Sequence, residues 1–171
     1  MKTKIIALTR KILLSPEILV WSLAFSVPLI LSKPQPLVGT IINALLVISA
    51  LKVNRKNWLP IVVLPSLGAV MHGVLFGSFT LFLVYFLPII WLSNLLYMKV
   101  ISFKNSTYAV NLFVGAIIKA GLLFLGAKLY LSLNLVPVFF LTVMGINQLL
   151  TALAGGIVAR VALIILRKDY E

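Results

Sequence analysis

The chain has 171 residues, of which 62% are hydrophobic and 11% are charged, and its mean hydropathy is +1.17. Soluble domains are usually about 45–50% apolar and about 25% charged, so this composition excludes a soluble globular enzyme, a disordered chain and a fibrous repeat. The formal net charge is +12 and there is no cysteine, which excludes disulfides, zinc–thiolate sites and iron–sulfur clusters. We therefore expect a single integral membrane domain spanning residues 1–171.

Six apolar runs follow one another along the chain, and a membrane-crossing helix needs about 20 mostly apolar residues. Residues 3–14 precede the first run, and their spacing fits either a short helix on the membrane interface or a plain basic flank. Ser15 can cap the first run, and Pro16 fits its first helical position. Only Phe76, Gly77 and Ser78 divide the third run from the fourth. The predicted spans are 16–31, 37–51, 58–75, 79–98, 108–131 and 138–166.

Basic residues are distributed unevenly among the connections between the runs. Eleven of them lie in the N-terminal segment, the 2–3 and 4–5 connections and the C-terminal tail, whereas the opposite side has only Lys33, in the first connection, and Lys128, near the outer end of the fifth run. The positive-inside rule places the richer side in the cytoplasm. We therefore predict an all-α integral membrane bundle of six transmembrane helices, with both termini cytoplasmic, in the cell (plasma) membrane. The rule also accounts for the net charge, so no nucleic-acid partner is expected.

Lys119 is the most informative polar residue inside an apolar run. It lies about 16 Å into the fifth run, near the middle of a ~30 Å hydrocarbon core. The three acidic residues of the chain, Glu17, Asp169 and Glu171, all lie at the predicted cytoplasmic edge. The ammonium must therefore use carbonyls, amides, water or an anionic ligand, or lose its proton. A ligand contact and a structural lysine both fit this position.

Other polar residues inside the runs are also candidates, because such groups are costly in hydrocarbon and usually face the bundle interior. Asn147 and Thr151 share one face of the sixth run, with Gln148 one step round the helix. Ligand contacts and interhelical hydrogen bonds both fit these three. Asn43 and His72 fall in the outer half and are expected at a similar level. A lone histidine is more often a packing residue than a metal ligand, and we expect no metal site and no cofactor.

The sequence lacks the groups that most catalytic and energy-coupling mechanisms need. No carboxylate lies deep in the membrane, which argues against a proton-driven carrier. No Walker A loop is present, so the chain is not expected to hydrolyse ATP. No motif pairs a nucleophile with a base. We therefore expect a protein that is not an enzyme and that has no energy source of its own.

Four stretches, in order along the chain, resemble the small S-component-like proteins of energy-coupling-factor (ECF) transporters. They are 39–46 (GTIINALL), 88–96 (PIIWLSNLL), 116–119 (AIIK) and 148–156 (QLLTALAGG), the last being the most specific. The resemblance implies a six-helix substrate-binding membrane subunit that captures a micronutrient, commonly a vitamin or its precursor. It also implies association with a transmembrane T component and two cytoplasmic ATPases, whose ATP hydrolysis drives toppling of the S component in the bilayer.

The resemblance also bears on the site residues. Ligand pockets in the family usually lie towards the outer half, which favours a set of ligand-binding residues over Asn94 and Arg160. That set is Asn43, His72, Lys119, Asn147, Gln148 and Thr151. If Lys119 lines the pocket, an anionic ligand is favoured. Several relatives dock their partner through an Ala-x-x-x-Ala motif in the first helix, where this chain has Ser22-x-x-x-Ser26.

Two other functions fit the same composition. A structural or assembly membrane protein of a cell-envelope complex needs no pocket, and its polar residues serve only to join helices. An intramembrane enzyme acting on a lipid or isoprenoid has little sequence support, since acidic clusters and a paired nucleophile and base are both missing. Small-residue repeats such as Ala152-x-x-x-Gly156 and Gly155-x-x-x-Ala159 fit close helix packing in any of these proteins.

Overall fold

A computed structural model describes residues 15–31, 33–73 and 80–168 of the chain. Within these ranges the protein is helical and contains no strand, which confirms the predicted all-α fold and places helices in all six apolar runs. Short 3₁₀ turns at Arg55–Asn57 and Thr80–Phe82 precede the third and fourth helices. The α-helices are α1 (Pro16–Ile30), α2 (Gln35–Lys52), α3 (Trp58–His72), α4 (Leu83–Ile101), α5 (Tyr108–Ser132), α6 (Phe139–Met144) and α7 (Ile146–Lys168).

The chain is a helical membrane protein by the length and composition of its helices. Four segments of the described chain are long and apolar enough to cross a membrane, namely Gln35–Lys52, Thr80–Ile101, Tyr108–Ser132 and Phe139–Leu166. The helices α1 and α3 have 15 residues each, which is about 22 Å of helix. These two pack closely against each other, as do α2 with α7 and α4 with α5.

The ends of the first and third helices follow from local sequence. The Oγ of Ser15 accepts a hydrogen bond from the backbone N–H of Ile18 at 3.4 Å, and Pro16 begins α1, which confirms the predicted cap. The third helix ends at His72, before the predicted boundary at 75, because Gly73 takes the left-handed conformation with φ +72°. The segment 3–14, for which an interfacial helix and a plain basic flank were both open, and the predicted division at 76–78 lie outside the described residues.

The sixth run, 138–166, contains two helices, where hydropathy alone predicts one. The backbone turns at Gly145, with φ −99° and ψ −101°, between α6 and α7. A Cβ at this position would lie 2.6 Å from the carbonyl oxygen of Leu141 and 2.9 Å from Cδ2 of Phe124. Glycine is therefore the residue that fits this turn, and an apolar run carries no hydropathy signal of such a break.

Two apolar clusters form the core of the described bundle. One contains Leu46, Trp58 and Tyr97, and involves α1, α2, α3, α4, α5 and α7. The other is built around Phe86 and Phe140, whose rings stack with centroids 5.1 Å apart. Residues of both clusters line a small cavity, which therefore lies where the two clusters meet.

Candidate ligand site at the centre of the bundle

Lys119 lies in the middle of α5 with its side chain 3% exposed. Its Nζ donates a hydrogen bond to Oδ1 of Asn43 on α2 at 2.6 Å, a short contact of the kind that a charged donor makes. The Nζ also lies 5.4 Å from the ring centroid of Tyr97, within the range of a cation–π contact. The Tyr97 hydroxyl in turn donates to the carbonyl oxygen of Ala152 at 2.8 Å. The lysine is thus surrounded by neutral polar and aromatic groups.

Hydrogen bonds extend from the lysine across three helices. Nδ2 of Asn43 donates to the carbonyl oxygen of Gly39 at 2.9 Å and to Oγ1 of Thr151 at 3.3 Å. Oγ1 of Thr151 donates to the carbonyl oxygen of Asn147, one turn earlier in α7, at 2.8 Å. Lys119, Asn43 and Thr151 therefore form one chain that joins α5, α2 and α7.

Two glycines allow α2 and α7 to approach closely enough for this chain to form. A Cβ at Gly155 would lie 2.6 Å from Cβ of Asn43 and 2.7 Å from the carbonyl oxygen of Thr40. A Cβ at Gly39 would lie 3.1 Å from Cγ2 of Thr151. The predicted small-residue packing at Gly155 thus positions the polar network, because the absent side chain brings Asn43 against α7.

A cavity of about 100 Å³ lies beside this network at the centre of the described bundle. Each of the seven helices described above contributes to its wall. Its polar lining consists of Asn43, Ser66, Asn94, Lys119 and Gln148. The rest of the wall is mostly apolar and includes Pro28, Val38, Ile42, Pro65, Ala69, Leu83, Ile90, Leu123 and Met144. A mostly apolar cavity with a few converging polar groups is the usual form of a small-molecule site.

Asn94 has an unsatisfied atom in this wall. Its side chain is 2% exposed, and its Nδ2 donates to the carbonyl oxygen of Val62 at 3.2 Å. Its Oδ1 is buried and has no hydrogen-bond partner among the described residues. Buried polar atoms are nearly always paired in native proteins, so Asn94 is an exception within a residue of the cavity wall.

The structure brings together most of the predicted ligand-binding residues. The cavity is lined by Asn43, Lys119 and Gln148. Thr151 does not line it, but its Oγ1 accepts a hydrogen bond from Asn43. Asn147 supplies its backbone oxygen to Thr151.

His72 lies at the end of α3, outside the lining of the central cavity. Its Nδ1 lies 2.5 Å from the carbonyl oxygen of Leu29, which ties the end of α3 to α1. Asn43 and His72 therefore have separate hydrogen-bond partners, and their similar depth in the membrane stays a prediction.

Asn94 lies in the cavity wall and farther from the end of its helix than the sequence predicts. The predicted run 79–98 puts Asn94 four residues from its end, whereas the observed α4 continues to Ile101 and puts Asn94 nearer the middle. Ser66 was missed altogether. Its Oγ accepts from Nε1 of Trp91 at 2.8 Å and donates to the carbonyl oxygen of Val63 at 2.9 Å. Because Ser66 and Trp91 lie on different helices, no spacing in the sequence indicates that their side chains form a hydrogen bond.

The remaining sequence candidates lie outside the cavity. Ser22 is exposed and Ser26 is half-buried on α1. The Arg160 guanidinium is exposed and lies 5.4 Å from the ring centroid of Tyr108, as expected for a side chain that extends towards the interface. In the described part of the chain, no group of three or more His, Cys, Asp or Glu residues is placed to hold a metal ion.

Comparisons with known proteins give no relative from which a function transfers. No family model, no curated protein and no solved structure matches the chain. Its function must therefore be argued from the geometry of the bundle and its cavity.

Proposed function

We propose that the protein is an S-component-like substrate-binding subunit of an ECF-type, ATP-driven importer of a micronutrient, either a vitamin or a precursor. One observation carries the proposal: a cavity lined by residues of all seven α-helices contains a buried lysine that has no acidic partner among the described residues. In this proposal the subunit is a multi-pass protein of the plasma membrane, surrounded by lipid. It has neither catalytic nor ATPase activity of its own.

The cavity favours a binding subunit over a protein of purely structural role. Polar groups that only join helices satisfy one another, as Asn43 and Thr151 do. The wall of this cavity also contains Lys119, whose ammonium has one side-chain acceptor in the described chain. Leaving such a group incompletely paired in an apolar interior is costly, and a ligand would offset that cost by pairing with it.

The charge of the wall supports an anionic ligand. Among the described residues that line the cavity, Lys119 is the one basic residue and none is acidic. Glu17, the one acidic residue between 15 and 168, lies in the first turn of α1. An anion would therefore neutralise a charge that the described protein leaves uncompensated.

The proposed partners follow from what the chain lacks and from the resemblance given above. The sequence has no nucleotide-binding loop, so import against a gradient requires a separate ATPase. The proposed partners are a transmembrane T component and two cytoplasmic ATPase subunits. The exposed Ser22 lies on α1, where the related proteins carry their docking motif.

Purification from the native membrane tests this function. The tagged chain is extracted gently, and the proteins and small molecules that purify with it are identified by mass spectrometry. The proposal predicts a T component, ATPase subunits and one small molecule per chain. A chain that purifies free of ligand and bound only to envelope-assembly proteins would replace this proposal with the structural alternative. An untagged chain extracted in parallel controls for proteins that bind the resin.

A further inference from the structure

We propose that a groove between the predicted cytoplasmic ends of α4 and α5 holds one anionic phospholipid, with its phosphate group at Lys99 and an acyl chain against Val110 and Val114. This groove shares no lining residue with the central cavity. The inference goes beyond the proposed import function and does not depend on it.

The groove combines a large apolar surface with a cation. Its volume of about 390 Å³ lies within the roughly 300–1,000 Å³ that is usual for small-molecule sites. Four of the described lining residues are apolar, namely Val100, Phe103, Val110 and Val114, and the other three are Lys99, Ser106 and Asn111. A soluble anion would pair with the lysine and leave the apolar wall without a partner. A phospholipid has groups that fit both parts.

The polar and apolar parts of the groove lie at different levels along the helices. Lys99 lies two residues before α4 ends at Ile101, and Ser106 lies two residues before α5 begins at Tyr108. Val114 lies six residues into α5, which is about 9 Å further from that end of the helix. The groove therefore runs from the ends of two apolar helices towards their middle. This is the order of headgroup and acyl chain in a bilayer leaflet.

The apolar part of the groove continues along an uncovered face of α5. Val110, Val114 and Ile117 follow one another at helical spacing and are all exposed. Gly121 lies on the same face, and no atom lies within 4 Å of where its Cβ would be. In a bilayer such a face contacts acyl chains, so a lipid seated in the groove can extend its chain along α5.

The charge at the polar end favours an anionic headgroup. Lys99 and Lys104 are both exposed there. The Arg55 guanidinium donates to Oγ of Ser102 at 3.0 Å, which brings the basic connection between α2 and α3 to this end of α4. None of the described residues that line the groove is acidic. The positive-inside rule places this end in the cytoplasm, and the cytoplasmic leaflet is the one that contains anionic lipids.

The wall of the groove is held in place by the protein itself. Asn111 is buried at the start of α5, and its Nδ2 donates to the carbonyl oxygen of Phe103 at 2.6 Å. Its Oδ1 accepts a hydrogen bond from the hydroxyl of Ser106. These two hydrogen bonds hold the connection between α4 and α5 against the helix before a lipid binds. A preformed wall lowers the entropic cost of binding.

Native mass spectrometry with two lipids of identical acyl chains tests the proposed site. Phosphatidylglycerol is anionic and phosphatidylcholine is zwitterionic. Each is added at the same concentration to the delipidated full chain in detergent, and the lipids retained per chain are counted. We expect one phosphatidylglycerol per chain, retained with about a tenfold preference over phosphatidylcholine. Equal retention of the two lipids, or no retention of phosphatidylglycerol, would overturn the inference.

Two lysine variants separate the groove from the general charge of this side of the protein. Lys99→Gln should lower the preference for phosphatidylglycerol about fivefold, since one cation near an anionic headgroup is lost. Lys56→Gln is the matched control, because Lys56 is also exposed, lies on the same predicted side and does not line the groove. It should keep the preference. Equal losses in the two variants would refute the assignment to the groove.

A soluble competitor tests the contribution of the acyl chain. Glycerol 3-phosphate carries the phosphate chemistry of the lipid but no acyl chain. At millimolar concentration it should leave phosphatidylglycerol bound to the wild-type chain, because most of the lining residues are apolar. Its displacement of the lipid would make the groove a site for soluble phosphates and would contradict the proposal.

Discussion

At the scale of single residues, the contributions of Lys119 and Asn43 to stability depend on the contact between them. A buried ammonium without an acceptor is strongly destabilising, whereas its replacement by an apolar side chain of similar length removes the cost of burying it. The 2.6 Å contact makes Asn43 the side-chain acceptor of Lys119 in the described structure. The two residues should therefore respond very differently to substitution.

We predict that Asn43→Leu lowers the free energy of unfolding by about 3 kcal/mol, since it leaves the ammonium unpaired. Lys119→Met should change it by no more than about 1 kcal/mol, because the open Asn43 oxygen is a smaller penalty. Equilibrium unfolding in mixed detergent micelles measures both. The double variant should be more stable, by about 1.5 kcal/mol or more, than the sum of the two single effects predicts. Additive effects of the two substitutions would show that the contact is energetically unimportant.

At this scale, the sequence predicted candidate residues best where a polar side chain stands alone in an apolar run. Lys119, Asn43 and Thr151 were predicted separately, and the structure joins them by hydrogen bonds. The pairing itself could not be predicted, because it depends on which faces of α2, α5 and α7 meet. The place of Asn94 in the cavity wall could not be predicted for a related reason: its depth depends on where α4 ends, and apolar runs define such ends only loosely.

At the scale of helices, glycines determine how closely α2 and α7 pack. Gly155 brings α7 against the backbone of α2 at Thr40 and Ala44, and this approach holds Asn43 beside Thr151. Gly121 on α5 has no atom within 4 Å of where a Cβ would be. Alanine substitutions at Gly155 and Gly121 therefore separate the effect of packing on stability from the effect of helix propensity.

Gly155→Ala should lower the free energy of unfolding by about 1–3 kcal/mol, because the added methyl group meets backbone atoms that have little room to move. Gly121→Ala should leave it unchanged or raise it by up to about 1 kcal/mol, since alanine is the better helix former. The same detergent unfolding measurement compares them. Equal effects of the two substitutions would show that α2 and α7 do not approach as described.

The break at Gly145 links helix geometry to the cavity. Met144 and Gln148, on either side of it, line the cavity, while Gly145 itself does not. Gly145→Ala should cost about 1–3 kcal/mol of stability through its contact with Leu141. Unchanged stability would mean that the turn does not require glycine. Hydropathy predicted the bounds of this run well, but the sequence carried no signal of its interruption at Gly145.

The orientation of the molecule in the membrane is predicted from its charges. It can be tested by labelling single introduced cysteines, because the chain itself contains none. Three helices, α2, α3 and α4, lie between the exposed residues Lys33 and Lys104. In intact cells a membrane-impermeable maleimide should label Lys33→Cys, and should label Lys104→Cys only after permeabilisation. Lys56→Cys, between α2 and α3, should behave as Lys104→Cys does. Labelling of Lys33→Cys and Lys104→Cys from the same side would mean that one of these helices does not cross.

At the same scale, composition and charge were sufficient to predict an all-α membrane protein with a helix in each apolar run. They were not sufficient to predict the cavity, because its wall takes side chains from all seven described helices. A volume enclosed by so many elements depends on their packing angles, to which hydropathy and charge are insensitive.

The central claim is that Lys119 holds a ligand inside the bundle, and native mass spectrometry of the extracted wild-type chain beside Lys119→Met tests it most directly. We predict one added small-molecule mass per chain in the wild type and none in the variant, with both proteins folded. The same added mass on both proteins, or a wild-type chain that carries no added mass when extracted together with its ATPases, would contradict the claim.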